Sequence, residues 1–170
     1  MCWQGISPGR THILDVSRLL TDSGLNFQFS PGEYRNAIPV EGPHGWLKAF
    51  MVPNFAGFSR DPRIEIVCLR DEDQTGGLIL ADVLRELGAP DDLLAEGTYS
   101  DEIRLTVRYR QRLLEVSFLV KRAAKRLTLF EPIEYACFES QAAYPAHSAM
   151  DLPWRGSTSL YRYPPAVTIP

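Results

Sequence analysis

The chain has few of the residues that tie a small protein together covalently or hold a metal ion. Only three of its 170 residues are cysteine, and three are histidine. Three cysteines are too few, and odd in number, for a small disulfide scaffold. His12, His44 and His147 share no spacing typical of a metal site. The sequence therefore predicts neither a metal centre nor a disulfide-rich scaffold.

Long apolar runs and a strong net charge are absent as well. No run of apolar residues approaches the roughly 18 that a membrane-spanning helix needs. The formal net charge is −3, and the chain is 45% hydrophobic and 23% charged, which is typical of a globular protein with a buried core. This composition favours neither a disordered chain nor a nucleic-acid-binding protein. The length indicates one ordinary domain or two very small ones.

Motifs for cofactor chemistry are missing too. The stretch DQTGGLILADV (73–83) would place a helix N-terminus after two glycines, but it has neither the GxGxxG nor the GxxxxGK[ST] spacing of a phosphate-binding loop. The acidic clusters at 71–73 and 91–92 lack the DxDxDG spacing of a calcium loop. Helix entry and hydrated turns explain these segments better. We therefore expect no cofactor, and no motif singles out a catalytic residue.

The three cysteines differ in their surroundings. Cys68 and Cys137 lie in the apolar segments PRIEIVCLRD (62–71) and EPIEYACFES (131–140), which predicts small buried core thiols. Cys2 precedes WQGISPG with no apolar leader segment before it. Either it is an incidental exposed thiol, or it is the lipid-acylated cysteine of a lipoprotein whose signal peptide has been replaced by a methionine.

Two helical patterns along the chain resemble each other. The first, THILDVSRLLTDSG (11–24), has Thr11 as its candidate N-cap and stops at Gly24. The second, GGLILADVLRELGAPDD (76–92), stops at Gly88 and Pro90. Each carries one apolar stripe at helical spacing: Ile13, Val16, Leu19 and Leu20 in the first, and Leu80, Val83, Leu84 and Leu87 in the second.

The likeness extends to later segments. Asp15-Val16 corresponds to Asp82-Val83 at an offset of 67 residues, and Arg18 to Arg85. Cys68 corresponds to Cys137 at an offset of 69, and the preceding Ile and Glu match as well. Two separate landmarks at nearly one spacing indicate a unit that occurs twice.

Strand patterns follow each helix. They are EYRNAIPV (33–40) and GWLKAFMV (45–52) in the first unit, and EIRLTVRY (102–109) and LLEVSFLV (113–120) in the second. EIRLTVRY alternates, with Ile103, Leu105, Val107 and Tyr109 on one face and Arg104, Thr106, Arg108 and then Arg110 on the other. This period indicates an antiparallel sheet that is covered on one side. The last strands place Ile64, Ile66 and Cys68 on one face, and Ile133, Tyr135 and Cys137 on the matching face.

These patterns predict an α+β fold built as a tandem repeat of two α-β-β-β units. We place the first unit at residues 1–75 and the second at 76–140. Residues 141–170 form an extended, proline-rich tail that packs on the body through its aromatic side chains, Tyr144, Trp154, Tyr161 and Tyr163.

The helix ending in LGAPDD and the hairpin LTVRYRQRLLEVSF resemble a known family. They are similar to the small bacterial lipoproteins of the outer-membrane barrel-assembly machine, the SmpA/OmlA or BamE group. The tandem plan is similar to that of the beta-lactamase inhibitor proteins. The start, CWQGISPGRT, and the later WRGSTSLYRY also resemble lipoproteins of this plan, although the first unit reads TDSG where the family has a Gly-x-Pro turn. The resemblance implies binding or assembly rather than catalysis.

Two features are candidates for a partner surface. Eight basic residues lie between 104 and 126, with Glu115 as their only acid, and Arg104, Arg108 and Arg110 share one predicted strand face. Four interpretations of this patch are open. It is a solvated sheet face, or it binds an acidic protein or anionic headgroups. Otherwise it binds nucleic acid, or it pairs within the fold with the acidic stretch before it. Phe55 and Phe58 lie around Gly57 in a predicted loop, either as partner anchors or folded back on the core.

The function we expect is a non-catalytic protein-binding or envelope-associated module, lipid-anchored through Cys2 outside the cytoplasm. Its expected partner is another protein rather than nucleic acid. One alternative is a cytoplasmic immunity-type or inhibitor protein that blocks a toxin or an enzyme. Another is a small enzyme with its site in the cleft between the repeats.

Overall fold

The computed structural model describes residues 2–24, 26–27, 38–41, 47–53, 63–71, 78–97, 101–121, 123, 127–144 and 152–156. For 26–27, 38–41, 47–53 and 71 the description covers the backbone alone. The elements in chain order are α1 (Ile13–Asp22), β1 (Asn26–Phe27), β2 (Ile38–Glu41), β3 (Leu47–Pro53), β4 (Ile64–Asp71), α2 (Leu80–Leu87), β5 (Asp92–Gly97), β6 (Glu102–Tyr109), β7 (Leu114–Lys121), β8 (Ile133–Glu139) and β9 (Leu152–Pro153). The predicted α+β class with antiparallel strands is confirmed.

The chain divides into two compact units. Unit 1 comprises Met1–Thr75 and Cys137–Pro145, and unit 2 comprises Gly76–Ala136 and Ala146–Pro170. In unit 1, β1 to β4 pair antiparallel in sequence order. In unit 2 the strand order is β8-β7-β6-β5-β9. Strand β8 is shared, because its first four residues belong to unit 2 and its last three to unit 1.

Helix α1 packs the predicted apolar stripe on the core of unit 1. Val16 and Leu20 are buried with Ile6, Ile64 and Val67, and partly buried apolar side chains pack around them: Trp3, Ile13, Leu19 and Leu69. The N-cap is His12, whose Nδ1 accepts a hydrogen bond from the Leu14 N–H (3.1 Å). Thr11, which we expected to cap the helix, instead accepts from the Ser7 N–H with its hydroxyl oxygen (2.8 Å).

The predicted faces of strand β4 are wrong beyond its first residue. Ile64 faces the core as expected, but Val67 and Leu69 follow it there, and Ile66 and Cys68 do not. The pairing with β3 explains the change: Val52 lies opposite Ile66 and Pro53 opposite Ile64, so Glu65 is an extra, bulged residue. A bulge shifts the in–out alternation by one position for the rest of its strand.

Cys68 and Cys137 are not free core thiols, as the sequence led us to expect, but form a disulfide across 69 residues of chain. Cys137 is buried and Cys68 is half-buried, and both belong to unit 1. Closing a loop of this length restricts the unfolded chain and stabilises the fold by about 4 kcal/mol. The bond could not be predicted from the sequence, because the two cysteines are far apart along the chain and each alone resembles a small apolar core residue.

Unit 2 begins with the shorter helix α2, which buries Leu80 and Val83. The helix is attached to the segment before β8 by its backbone. The N–H groups of Leu80 and Ala81 donate to the carbonyls of Glu131 (3.0 Å) and Leu129 (2.8 Å). Two of the orphan donors of the first helical turn are therefore satisfied by a neighbouring segment.

Strand β5 was not expected, because the sequence predicts three strands in each unit and none between the end of the second helix and Glu102. It pairs antiparallel with β6 on one side, and with the two-residue strand β9 on the other. Strands β6 and β7 form a hairpin joined by a single 3-10 turn at Arg110–Arg112. Strand β6 occupies the residues that its alternation predicts.

The expectation that one face of β6 is exposed to solvent is wrong. Leu105 and Val107 are buried on one face, and Thr106 and Arg108 are buried on the other. Within the described part of the chain, no helix is both long and apolar enough to cross a membrane. Of the predicted tail, residues 141–144 and 152–156 are described; Tyr161 and Tyr163 lie outside the described residues.

The substitution Val83→Asp tests the buried face of α2. We expect it to unfold unit 2, because an unpaired carboxylate in an apolar core costs several kcal/mol. The control is Leu14→Asp, which adds the same charge at a helix position that is 81% exposed. Thermal unfolding followed by circular dichroism should show a fall of many degrees for the first variant and little change for the second. A Val83→Asp protein with the melting temperature of the wild type would contradict this helix face.

Candidate functional site

The arginines of the predicted surface patch lie in unit 2, where β5, β6 and β7 place Asp92, Arg108 and Glu115 in one row across the strands. Arg108 Nε lies 2.7 Å from Glu115 Oε1, and Arg108 Nη1 lies 3.9 Å from Asp92 Oδ1. All three side chains are largely buried, with exposed fractions of 6%, 14% and 7% for Arg108, Glu115 and Asp92. We call this acid–base–acid row the charged ladder.

The charged ladder continues into neighbouring polar groups. Arg110 Nε lies 2.6 Å from the other carboxylate oxygen of Asp92, and the Arg110 N–H donates to Asp91 Oδ2 (2.7 Å). On the same face, the hydroxyls of Thr106 and Ser117 form a hydrogen bond of 2.7 Å between β6 and β7. Among the described residues, Asp92 Oδ1 accepts no hydrogen bond; the charge of the Asp92 carboxylate is balanced by Arg110 at Oδ2 and by Arg108, 3.9 Å from Oδ1.

Burial is the main influence on the pKa of Glu115. Its pKa is raised above the ordinary value because burial disfavours the carboxylate, and this outweighs the charge of Arg108 and its hydrogen bond. The charges of Glu96 and Asp92 act in the same direction as burial. A buried arginine between two acids is consistent with a structural ion pair, because each charge needs the others to remain in the interior.

Arg104 has a different environment at the other end of β6. Its guanidinium forms two hydrogen bonds to the Glu134 carboxylate (3.2 and 3.3 Å), and lies 5.7 Å from the centre of the Tyr135 ring. Partial burial opposes the charge, but the hydrogen bond and charge of Glu134 prevail and raise the pKa of Arg104. The side chain is 35% exposed, so part of it reaches the solvent.

Tyr109 joins the helix to the sheet at the end of β6. Its hydroxyl donates to the Gly88 carbonyl (3.0 Å), where α2 ends. Burial raises the pKa of Tyr109 to about 12; the charge of Arg112 lowers it, and that of Asp91 raises it. The neutral phenol is therefore the form that the folded protein favours.

The expectation that the three arginines share one exposed face is wrong for Arg108, which is buried and doubly paired. The sequence signal was present, since Asp91 and Asp92 belong to the acidic stretch that was one possible partner of the patch. Arg104 and Arg110 keep partly exposed side chains, of 35% and 28%. Phe55 and Phe58, the other partner candidates, lie outside the described residues.

Three exposed apolar side chains of unit 2 are carried by two backbone segments that meet at the start of α2. Leu78, Leu129 and Phe130 are 50%, 40% and 78% exposed. Their segments run side by side, because the Ile133 N–H donates to the Leu78 carbonyl (3.0 Å) and Ile79 bridges to Pro132. We call these three side chains the apolar knuckle.

The turn that carries Leu129 and Phe130 of the apolar knuckle is held by the side chains of Thr128 and Glu131. Glu131 Oε1 accepts hydrogen bonds from the hydroxyl and the N–H of Thr128 (2.8 and 3.3 Å). The Thr128 hydroxyl oxygen also accepts from the Phe130 N–H (3.3 Å), and Leu127 beneath the turn is fully buried. A Thr-x-x-Glu spacing around two apolar residues is the sequence signal that periodicity did not detect.

The remaining candidates stand apart from these groups. Cys2 is exposed and not disulfide-bonded. His12 caps α1, whereas His44 and His147 lie outside the described residues. The described part of the chain contains no cluster of three or more His, Cys, Asp or Glu side chains that would hold a metal ion.

Comparison with protein-family models, with curated proteins and with solved structures gave no match for this chain. The resemblance to the barrel-assembly lipoproteins therefore stays an expectation from the sequence.

Replacing Arg108 by Met tests the charged ladder. We expect a loss of about 3–5 kcal/mol of unfolding free energy, because Asp92 and Glu115 are left buried without their shared cation. Urea denaturation measures the loss. The double variant Arg108→Met/Glu115→Gln should recover part of it, since one buried charge has been removed.

The matched control for this prediction is Arg104→Met, which breaks a more exposed ion pair on the same strand. It should cost less than Arg108→Met, because a single carboxylate, that of Glu134, loses its cation and Arg104 itself is 35% exposed. Equal losses for the Arg104 and Arg108 variants would show that the charged ladder has no special role in stability.

The variant Tyr109→Phe tests the alkaline behaviour of the fold. Because the folded-state pKa is about 12, above the ordinary 10, the stability that Tyr109 contributes is present below pH 10 and is lost as pH rises towards 12. Between these values the wild type should lose on the order of 1–2 kcal/mol more unfolding free energy than the variant. Denaturant unfolding at both ends of this range measures the difference. A gap between the two proteins that does not change with pH would contradict the assignment.

Proposed function

We propose that the protein is a non-catalytic protein-binding module of the cell envelope, and that it binds its partner through the apolar knuckle. The observation that carries this proposal is Phe130, a large aromatic side chain that is 78% exposed on a tightly bonded turn. Exposed apolar patches on the surface of a folded protein are typical of interaction sites.

The geometry of the turn favours a binding role for Leu129 and Phe130 over exposure without a function. Thr128 and Glu131 fix the backbone on both sides of Leu129 and Phe130, so little conformational entropy is lost when a partner covers them. Aromatic anchors in preformed positions are typical hot spots of protein interfaces. The partner that fits this chemistry is a protein with an apolar groove.

Arg104 and Arg110 are proposed to act on the encounter with the partner, as partly exposed charges of unit 2. Each is paired with an acid within unit 2 and keeps part of its side chain exposed. Exposed charges of this kind steer an acidic partner and set its orientation more than they add affinity. Arg108 has no place in this surface because it is buried.

The cysteines favour a location outside the cytoplasm. A structural disulfide between Cys68 and Cys137 persists in oxidising compartments and is rare in the cytosol. Their pairing leaves Cys2 as the exposed thiol, available for the lipid anchor of a lipoprotein. The same bond makes the cytoplasmic immunity-type alternative less favoured.

We also propose that the two units are copies of one ancestral unit. The Ile64 N–H donates to the Thr11 carbonyl (2.9 Å) in unit 1, as the Ile133 N–H donates to the Leu78 carbonyl (3.0 Å) in unit 2. These residues correspond at the offsets that the sequence indicated, 67 for the helix and 69 for the last strand.

Matching ion pairs on the two helices support the same proposal. Arg18 binds Asp15 in α1 (3.3 Å), and Arg85 binds Asp82 in α2 (2.7 Å), each three residues apart. The following valine is buried in both helices. A repeat of this kind agrees with the tandem plan that the sequence resembles.

The double variant Leu129→Ser/Phe130→Ser tests the binding surface. Affinity capture from the native host, with quantitative identification of the bound proteins, should show at least a roughly tenfold loss of the partner, because truncated hot spots cost 2 kcal/mol or more. The melting temperature should change little, since both side chains are exposed.

The matched control is Leu14→Ser, which removes a leucine that is 81% exposed from α1 of unit 1. It should capture the partner as the wild type does. If both variants retain the same proteins in the same amounts, the apolar knuckle is not the binding site.

A further inference from the structure

The Cys68–Cys137 disulfide joins two strands that are already hydrogen-bonded to each other. Strands β4 and β8 are neighbours in the sheet. Just past the end of β8, the Ser140 N–H donates to the Glu65 carbonyl of β4 (2.8 Å), and the Ser140 hydroxyl donates to the Glu65 carboxylate. Backbone pairing therefore joins the two strands independently of the disulfide.

The direction of the pairing places the two sulfurs opposite each other. From Glu65 to Cys68 the chain advances three residues along β4, and from Ser140 to Cys137 it goes back three along β8, as in antiparallel strands. Because Glu65 and Ser140 are a hydrogen-bonded pair, Cys68 and Cys137 are a non-hydrogen-bonded one, the kind whose Cα atoms lie closer. Their Cα atoms are 4.0 Å apart. Breaking the S–S bond therefore leaves both thiols side by side on the paired strands.

The two sulfurs differ in their access from the solvent. Cys137 is buried, with 6% of its surface exposed, whereas Cys68 is half-buried. Val67 and Leu69 face the apolar core of unit 1, so Cys68, which lies between them in β4, is on the opposite face of the strand. A dissolved thiolate can therefore reach the sulfur of Cys68 while the core of unit 1 stays closed.

We propose that Cys68 and Cys137 are a thiol–disulfide exchange site for dithiol substrates, which cycles between disulfide and dithiol while β4 and β8 stay paired. One thiolate of the substrate attacks Cys68 Sγ, the S–S bond breaks, and Cys137 leaves as a thiolate that takes up a proton. The second thiolate of the substrate then attacks the substrate's own sulfur in the mixed disulfide and releases Cys68, which is protonated in turn. The protein gains two electrons and two protons, and the substrate becomes a disulfide.

The strand pairing makes this exchange reversible. In the reduced protein the two thiols remain opposite each other, so the step that closes the bond is intramolecular and a disulfide oxidant restores it. The pair is thus a two-electron carrier, an activity beyond the binding proposed for the apolar knuckle. Both cysteines belong to unit 1 and the knuckle to unit 2, so failure of either proposal leaves the other standing.

Reduction without denaturant tests the cycle on the full chain with Cys2→Ser, with dithiothreitol as the dithiol. Thiol labelling should find no free thiol before reduction and both Cys68 and Cys137 after it, and glutathione disulfide should then remove both. The NMR contact between the Hα atoms of the two cysteines, which are close in a non-hydrogen-bonded pair, should remain in the reduced protein. Thiols that appear only in denaturant, or loss of this contact on reduction, would overturn the proposal.

Two single-cysteine variants in the same background test Cys68 as the attacked sulfur. Cys137→Ser keeps Cys68, and Cys68→Ser keeps the buried Cys137. At urea concentrations below the unfolding transition of each, the first should form a mixed disulfide with glutathione disulfide at least about tenfold faster, because access governs the exchange. Both variants lack the disulfide, so a common loss of stability does not change this ratio. Equal rates would contradict the assignment of the exchange site.

Discussion

A charged arginine cannot remain in a protein interior without opposite charge beside it, and unit 2 is arranged around this constraint. Arg108 lies in β6 between Asp92 in β5 and Glu115 in β7. A slip of one residue in either pairing would place Arg108 opposite an apolar neighbour, such as Leu93 or Leu114, and would turn every side chain of the strand to the other face. The buried charge therefore specifies the register of three strands, which an apolar core alone specifies less strictly.

The sequence predicted the elements whose signal is local. The alternation of β6 gave its bounds, and the apolar stripe of α1 gave its buried face, because both depend only on neighbouring residues. It could not predict what covers the second face of β6, so Thr106 and Arg108 were expected in solvent. The bulge at Glu65 and the bond between Cys68 and Cys137 were missed because both depend on pairing with a distant segment.

The candidate binding surface shows the same limit. Charge is conspicuous in a sequence, so the arginines were the first candidates, yet the fold uses Arg108 internally. The apolar knuckle combines Leu78, which precedes α2, with Leu129 and Phe130, some 50 residues later, and no periodicity connects them. The sequence does contain the Thr-x-x-Glu turn, and this turn indicates that the backbone around Leu129 and Phe130 is fixed.

The two units show why such a surface would arise at this turn rather than elsewhere. In both, the last strand begins with a backbone hydrogen bond to the residue two positions before the helix, and this bond needs no particular side chain. Unit 1 has Arg63 just before its last strand, with the guanidinium bonded to the Arg10 carbonyl, where unit 2 has Pro132. Because the backbone connection, Thr128 and Glu131 carry the structure, the exposed side chains of Leu129 and Phe130 are free to change. A partner-binding group is therefore least costly to evolve there, since its substitutions leave the core of either unit untouched.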